Sequence, residues 1–492
     1  MDDIFFLLQK GVEDRLSALT DDILISILEK VDVATAARSS VLSTRWRNLS
    51  WLLSDPKFHA TDFLSAPCGG AARHIDQAMA SLARATGSFL AQPRRERTVK
   101  QLCLELYLTG NYSRDIGLLV SSTIDSEMVK DLELAILTEK EPKDSKHEVM
   151  VQQAREVNGF FSAFSSVLRC LTRLQLHNVR FADQDMNHLL FDCCKQLLHL
   201  SLNHCNTEDY SVWKIDAPNS NLRVLEVYFF QIKRAEVLCL PKLERVLWQS
   251  WFSCEAPLSF GYVPSLKELS LVSNATLRHL DFSLSQILHG ATNTNALTLN
   301  FQGEKLWMEP EGKQLCTAFN KLRKLSIHGI FIKFDLLWTL NLLEAPPSVV
   351  IFDVEMFEHP CWESNKTRIS YGAQRVKPSW KMPGFTSYNK WQLKEFQLLV
   401  LGPLEQHFLF VSTIMGRAPD LKTVLLTDGK YPCKDCDAMV PIPPPIGGFF
   451  PTYRDGQEAI AKQLRERVRS LAQIIFRSGS TYHSRAAQSC IY

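Results

Sequence analysis

The residues best suited to chemistry in this chain are cysteines and histidines, and one pair of cysteines has the spacing of a metal site. Cys433-x-x-Cys436 is one half of a zinc-binding pattern, but a second pair at suitable spacing is missing. His407 lies far away in the sequence, on a predicted helix. A redox dithiol would need a thioredoxin-like setting, which the flanking sequence does not supply. We therefore expect no metal and no cofactor.

The local patterns of known catalytic sites are also missing from the sequence. It contains no Gly-x-Gly-x-x-Gly, no phosphate loop with Lys, no His-Glu-x-x-His and no Gly-x-Ser-x-Gly. Thirteen His could pair with a Cys or a Ser in space, but no local spacing predicts such a pair. The sequence accordingly predicts no catalytic residues, and we expect the chain not to be an enzyme.

Composition narrows the remaining functions. The 492 residues are 46% hydrophobic, which is enough for a large core divided into two or more domains or a repeat array. The formal net charge of +2 disfavours a nucleic-acid or anionic-membrane binder, and no apolar stretch is long enough to span a membrane. An odd number of scattered Cys, 13 in all, behind an acidic MDDIFFLL start predicts reduced thiols in cytoplasm and/or nucleus.

From Val99 onward the chain repeats one short pattern, Leu-x-x-Leu-x-Leu, with Val, Ile or Phe allowed at its apolar positions. The repeats start about 20–30 residues apart, apart from two longer gaps, which is typical of leucine-rich repeats. Each final x-Leu-x-Leu is expected to be a short strand with inward-pointing apolar side chains. The copies start at these residues: Val99, Val129, Leu171, Leu197, Leu222, Leu243, Leu266, Thr294, Leu322, Val349, Leu393 and Leu421.

One repeat cannot bury its own leucines, so the copies must stack into a solenoid of parallel strands. The two longer gaps contain the polar segments 139–148 and 358–384, which we interpret as insertions that leave the stack and either contact a partner or remain mobile loops. His177, His204 and His328 each follow a repeat strand by one or two positions. They could line the concave edge, although solvated turn residues are the default expectation.

Before the repeats, residues 14–52 predict three short helices. Apolar residues from Ile23 onward follow one helical face, and Asp21 and Asp22 suit the start of the first helix. The second is expected through Ala36 and the third through Trp46. A module of this size has a small core, so leftover apolar residues predict a docking surface for a helical partner.

These residues resemble an F-box of the form common in plants. The resemblance is carried by Leu16-x-x-Leu19, Asp21, Ile27-Leu28, Val41-Leu42-Ser43 and Arg45-Trp46-Arg47. Thr20 replaces the family's usual Pro. The resemblance implies that the module binds a Skp-type adaptor and through it a cullin-based ubiquitin ligase. Seven residues are expected to form the adaptor-binding surface or its support: Leu16, Leu19, Leu24, Ile27, Leu28, Val41 and Trp46.

The C-terminal part resembles the FBD region that closes many plant F-box proteins. It predicts a parallel strand–helix–strand unit over 393–426 and then a helix from Asp455 to Phe476, with an apolar stripe that caps the last repeat. The predicted stripe contains Leu464, Val468, Leu471 and Ile475. The predicted domains are an F-box (14–52), a helical connector (53–98), repeats (99–390), FBD-like repeats with a cap (391–477) and a tail (478–492).

The fold class is therefore predicted as α/β: a small three-helix F-box, a leucine-rich-repeat solenoid with parallel strands and a C-terminal helical cap. The resemblance implies the substrate-recognition subunit of a Skp–cullin–F-box ubiquitin ligase, whose repeats bind an unknown substrate protein. The alternative is an interaction scaffold that uses the adaptor without ubiquitin transfer. An enzyme would need convergent catalytic groups, and the sequence contains no pattern that predicts them.

Overall fold

A computed structural model of the chain describes most of the repeat strands and the helices beside them. The described residues are 18–31, 33–39, 41–64, 72–91, 98–109, 111–139, 147–181, 187–207, 210–251, 256–273, 283–302, 308, 311, 315, 320–331, 335–344, 348–357, 391–399, 405–427, 450–451 and 453–477. No helix within these ranges is long and apolar enough to cross a membrane. The chain forms two compact units: Met1–Arg180 with His188–Leu197, and Phe181–Asn187 with Leu198–Tyr492.

The first unit begins with three short helices, α1 (Asp21–Leu28), α2 (Val33–Ser39) and α3 (Thr44–Leu49), and a 3₁₀ turn over Ser50–Leu52. Ser43 caps α3, because its side chain accepts a hydrogen bond from the Trp46 amide. The Thr20 side chain makes no such bond at the start of α1, where two acidic residues stand in the first turn instead.

The rest of the first unit alternates strands with helices. Strands β1 to β4 pair in parallel in chain order. The register places Leu104 beside Leu134, and Leu134 beside Leu174, so that equivalent leucines of successive repeats share one buried layer. The elements are β1 (Lys57–His59), α4 (Ala72–Leu90), β2 (Val99–Tyr107), α5 (Tyr112–Asp125), β3 (Val129–Leu137), α6 (His147–Ala163), α7 (Ser165–Cys170) and β4 (Leu171–His177).

The structure describes part of one of the two segments predicted as insertions, 139–148 and 358–384. Residues 140–146 of the first lie outside the described residues, but its last part belongs to α6, which continues to Ala163 and buries Val157 and Phe161. A helix that packs into the unit therefore fills most of this longer gap between repeats. The second segment, 358–384, lies outside the described residues.

The second unit is a longer run of the same parallel pairing. Its ten sheet strands place one apolar residue of each repeat at a common level, as Leu225, Val246 and Leu269 illustrate. The strands are β6 (His199–Asn203), β9 (Val224–Tyr228), β11 (Arg245–Gln249), β13 (Glu268–Val272), β14 (Ala296–Asn300), β15 (Lys324–Phe331), β16 (Ile351–Phe357), β17 (Glu395–Leu399), β18 (Thr423–Thr427) and β19 (Gln473–Arg477).

All twelve predicted repeat segments are strands in the structure, so this part of the sequence interpretation is confirmed. Their alternating leucines are almost completely buried.

Between successive repeat strands the chain returns in two ways, through a second parallel sheet or through helices. The returning elements are β8 (Val212–Asp216), β10 (Arg234–Cys239), β12 (Leu258–Tyr262), α8 (Leu284–His289), α9 (Leu340–Glu344) and α10 (Glu405–Arg417); β5 (Arg180–Phe181) and β7 (Asn206–Thr207) are two-residue strands.

The C-terminal region confirms one prediction and corrects another. Strand β17, helix α10 and strand β18 form the predicted parallel unit. The predicted helix over 455–476 is wrong beyond Arg467: α11 spans Arg454–Arg467, Val468 is extended, and β19 pairs in parallel with β18. Leu471 is fully exposed, so the proposed apolar stripe does not exist and the last strand extends the sheet.

Candidate protein-interaction site

The N-terminal helices divide the predicted adaptor-binding residues into two groups by burial. Leu24 (0% exposed), Leu28 (3%) and Trp46 (7%) form the small core of the module. Ile27 (38%) and Val41 (82%) keep much of their side chains in solvent. The first group therefore supports the helices, and the second is available to a partner. Leu19 is half-buried, and Leu16 lies outside the described residues.

Helical geometry explains this division within α1. Leu24 and Leu28 are four residues apart and point to the same side, where α3 packs. Ile23 and Ile27 are also four residues apart, one position earlier, so they lie on a neighbouring face about 100° away. That face carries no covering element among the described residues, and Ile23 is 47% exposed.

Three residues of the exposed face were not among the predicted site residues: Ile23, Val31 and Leu42. Val31 follows α1, while Val41 and Leu42 form a turn after α2, with backbone bonds back to Arg38 and Ser39. Leu42 had a sequence signal, because it belongs to the motif that carries the F-box resemblance. The exposure of Ile23 and Val31 depends on where α3 packs, and the spacing of apolar residues does not predict that position.

Arg45 fixes the start of α1 in the absence of a proline there. Its Nη2 donates to the Leu19 carbonyl oxygen at 2.5 Å, and its Nε donates to Asp21 Oδ1 at 2.7 Å. The two contacts hold the chain on both sides of Thr20 from α3. A guanidinium suits this position because it donates in several directions at once.

The second candidate surface is the side of the second-unit sheet opposite the buried leucines. Alternate strand residues point to this side, and parallel register places them in rows across neighbouring strands. Several rows are filled by opposite charges that pair between strands: Arg245 Nε lies 2.8 Å from Glu268 Oε2, and Lys324 Nζ lies 2.8 Å from Asp353 Oδ2. Such pairs leave a polar surface without a strong net charge.

His328 and Asp353 are two partly enclosed polar residues of these rows. Burial lowers the pKa of His328, and the carboxylates of Glu355 and Asp353 oppose that effect. Its Nδ1 lies 3.6 Å from Glu355 Oε2, while its Nε2 and the Asp353 Oδ1 are buried without a hydrogen-bond partner. The imidazole nitrogen and the carboxylate oxygen are therefore two unsatisfied polar atoms on the sheet face.

The expectation that the three histidines are solvated turn residues is wrong for two of them. His328 is enclosed as described, and His204 stacks on Phe229 with ring centroids 4.5 Å apart. Burial lowers the pKa of His204 to about 4. His177 is half-buried beside Gln175, whose Nε2 lies 2.8 Å from the His177 Nε2. Burial by neighbouring repeats, which no single-repeat pattern contains, sets these environments.

Metal binding and cysteine chemistry concern the His, Cys, Asp and Glu side chains of the chain. Within the part of the chain that the structure describes, no group of three His, Cys, Asp or Glu could hold a metal ion. Cys433 and Cys436 lie outside the described residues. The described cysteines are free thiols: Cys103, Cys170, Cys193, Cys194, Cys205 and Cys239.

Stacked parallel strands with a leucine layer, one strand per repeat, define a leucine-rich-repeat protein. The sequence matches the family described as At1g61320/AtMIF1, LRR domain, over residues 159–426, which is more than half of the 492-residue chain. The chain belongs to this family. No curated protein matches the chain. The repeat domain indicates a role in protein–protein interaction.

Proposed function

We propose that the chain is the substrate-recognition subunit of a Skp–cullin–F-box ubiquitin ligase. Residues 14–52 bind a Skp-type adaptor, and the repeats bind the substrate protein. The chain forms no covalent bond in this role; it raises the concentration of the substrate near the ubiquitin-transfer machinery. Its place of action is the cytoplasm or nucleus.

The exposed apolar face of the N-terminal helices carries this proposal. Ile23, Ile27, Val31, Val41 and Leu42 are each at least 38% exposed, whereas Leu24 and Leu28 are buried. A folded module that keeps five aliphatic side chains in water indicates a covered state with a partner. Short helices with an apolar face suit a helical partner of matching face. The F-box resemblance, which includes Ile27, Val41 and Leu42, supports a Skp-type adaptor as that partner.

The repeats supply the second half of the proposal. Membership in a leucine-rich-repeat family indicates protein binding. Rows of polar and charged residues on the sheet face, such as Arg245 and Glu268, offer hydrogen-bonding groups to a protein partner. Charge pairs between strands limit nonspecific attraction, since their fields largely cancel.

The adaptor contact is tested with the full chain and a purified Skp-type adaptor. Changing Ile27 and Val41 together to Ser removes apolar surface without opening the core, so the affinity should fall about tenfold or more, which corresponds to about 1.4 kcal/mol. The matched control is Leu118→Ser on α5, because Leu118 is 54% exposed and lies outside residues 14–52. Co-purification and titration measure binding.

Unchanged adaptor binding by the double variant would contradict the adaptor assignment, as would an equal loss in the Leu118→Ser control. Circular dichroism and the unfolding midpoint check that both variants remain folded. Ubiquitin transfer to a captured substrate in the reconstituted complex separates the ligase subunit from a scaffold. A complex that holds adaptor and substrate but transfers no ubiquitin would favour the scaffold.

A further inference from the structure

A compact group of nucleophile, base and carboxylate lies in the π-helical turn His188–Cys193 of the first unit. The Cys193 Sγ is 3.5 Å from the His188 Nε2, and the His188 Nδ1 is 3.2 Å from Asp192 Oδ2. A thiol within reach of an imidazole that a third group orients is the arrangement of an activated nucleophile. The sequence allowed such a Cys–His pair in space but contains no local spacing that predicts it.

The π-helical turn is what brings the three side chains together. In an α-helix a residue five positions on is rotated by about 140°, so the Cys193 thiol would face away from His188. The wider turn, closed by bonds five residues apart, places both Asp192 and Cys193 next to His188. Leu189 and Leu190 are buried and anchor the turn, so the polar residues are held on its outer side.

Hydrogen bonding sets the roles of the two imidazole nitrogens. Asp192 is placed to accept from the Nδ1–H of His188, which leaves Nε2 to accept the thiol proton. The Asp192 carboxylate then stabilises the positive charge that His188 gains. The His188 and Asp192 side chains are 70% and 71% exposed, and Cys193 is half-buried, so the group lies at the protein surface.

The adjacent cysteine cannot substitute for Cys193. Cys194 is 3% exposed, and burial raises its pKa to about 12. Cys194 therefore remains a thiol and does not act as the nucleophile. A thiolate reacts as a nucleophile and a thiol does not.

The first unit contains a second group of the same three residue types, which serves as an internal comparison. Cys103 Sγ is 3.8 Å from His59 Nε2, and His59 Nδ1 is 4.0 Å from Asp62 Oδ2. Burial and, secondarily, the Glu133 charge raise the pKa of Cys103 to about 12. Cys103 is half-buried, as Cys193 is, but its longer distances and raised pKa should leave it an unreactive thiol.

We propose that Cys193 is a peroxide-reactive thiol, activated by His188 and Asp192, and a site of reversible covalent modification. The Cys193 proton moves to His188 Nε2, and the sulfur attacks one oxygen of hydrogen peroxide. The S–O bond forms as the O–O bond breaks, and the leaving hydroxide takes the proton from His188 to become water. Sulfur is oxidised by two electrons to a sulfenic acid, and the peroxide is reduced.

The test treats the native full-length protein with dilute hydrogen peroxide and traps sulfenic acid with dimedone. Peptide mass spectrometry then gives the rate at each cysteine. Cys193 should be modified about tenfold or more faster than Cys103, because the thiolate is the reactive form. Cys239, which is also half-buried and free, is the control for exposure alone and should react more slowly than Cys193.

His188→Gln removes the base from an exposed position and should slow modification of Cys193 several-fold while leaving the rate at Cys239 unchanged. Asp192→Asn should give a smaller loss, because His188 keeps its contact with the thiol. Circular dichroism verifies the fold of both variants. The inference is overturned if Cys193 reacts no faster than Cys239, or if His188→Gln leaves its rate at the wild-type value.

Discussion

The N-terminal helices and the repeat strands contain the same types of aliphatic residue, but the strands bury them and the helices leave several exposed. In the repeats, leucines such as Leu225 and Leu269 are at most 1% exposed. In the helices, Leu24 is equally buried, but Ile23 and Val41 are 47% and 82% exposed. A side chain that has a neighbouring repeat on each side is covered by the fold itself, whereas the helices have too few residues to cover all of theirs.

This difference in burial distinguishes residues that stabilise the fold from residues that are available for binding. A repeat leucine has its partners in place before anything binds, so its loss should appear as lost stability. An exposed helix residue has no partner among the described residues, so its loss should appear as lost affinity. Single substitutions test whether stability and affinity separate in this way.

Phe396→Ala in β17 should have the largest effect on stability. Phe396 is fully buried, with its ring centroid 5.9 Å from that of Phe352 and 5.8 Å from that of Phe410. Truncation leaves a cavity beside the two remaining rings and should lower the free energy of unfolding by about 3–5 kcal/mol. Urea denaturation measures it. Phe396→Leu is the control and should cost less; equal losses would mean that the aromatic cluster is not close-packed.

Leu24→Ala in α1 should have the next largest effect, about 2–4 kcal/mol, because the residue is fully buried but in a smaller core. The loss should be confined to the N-terminal helices, since the repeats have their own leucine layers. Amide hydrogen exchange resolves the two regions. Protection lost in the repeat strands as well would show that the helices and repeats unfold together.

His204 should make the second unit less stable in mild acid. Its pKa falls from an ordinary 6.5 to about 4 through burial, so between these values the unfolded chain binds the proton and the folded chain does not. Stability from this residue is therefore present above pH 6.5 and is lost as pH falls toward 4. Urea denaturation at several pH values measures the slope.

His204→Asn should flatten that slope, and Asn tolerates the positive φ of 52° at this position. The control is His74→Asn, because His74 is exposed on α4 and its replacement should leave the pH dependence unchanged. If the steep pH dependence of stability persists in His204→Asn, other groups cause it, and His328 is the first candidate.

Val41→Ser should have the smallest effect on stability, within about 0.5 kcal/mol, because the side chain is 82% exposed. The thermal midpoint of the variant should match that of the wild type. A clear loss of stability without any loss of adaptor affinity would reverse the distinction between supporting and binding residues drawn for the helices.

The sequence predicted the repeat strands well because their signal is local and repeated. Leu-x-Leu alternation determines which face of a strand is buried, and register follows when equivalent residues stack. The C-terminal helix was wrong for the same local reason. Val468, Leu471 and Ile475 happen to follow helical spacing, but the run Gln473–Arg477, rich in Ile and Phe, has strand preference and a free neighbouring strand to pair with.

By itself the sequence determined the leucine layer, the parallel strands and the three short helices, since these depend on residue order within a few turns or one repeat. The tertiary structure alone decided which helix residues stay exposed, how deeply His204 and His328 are enclosed, and that a π-helical turn joins His188 to Cys193. These properties depend on packing between residues distant in sequence or on a rare backbone geometry, and neither has a local pattern from which it can be predicted.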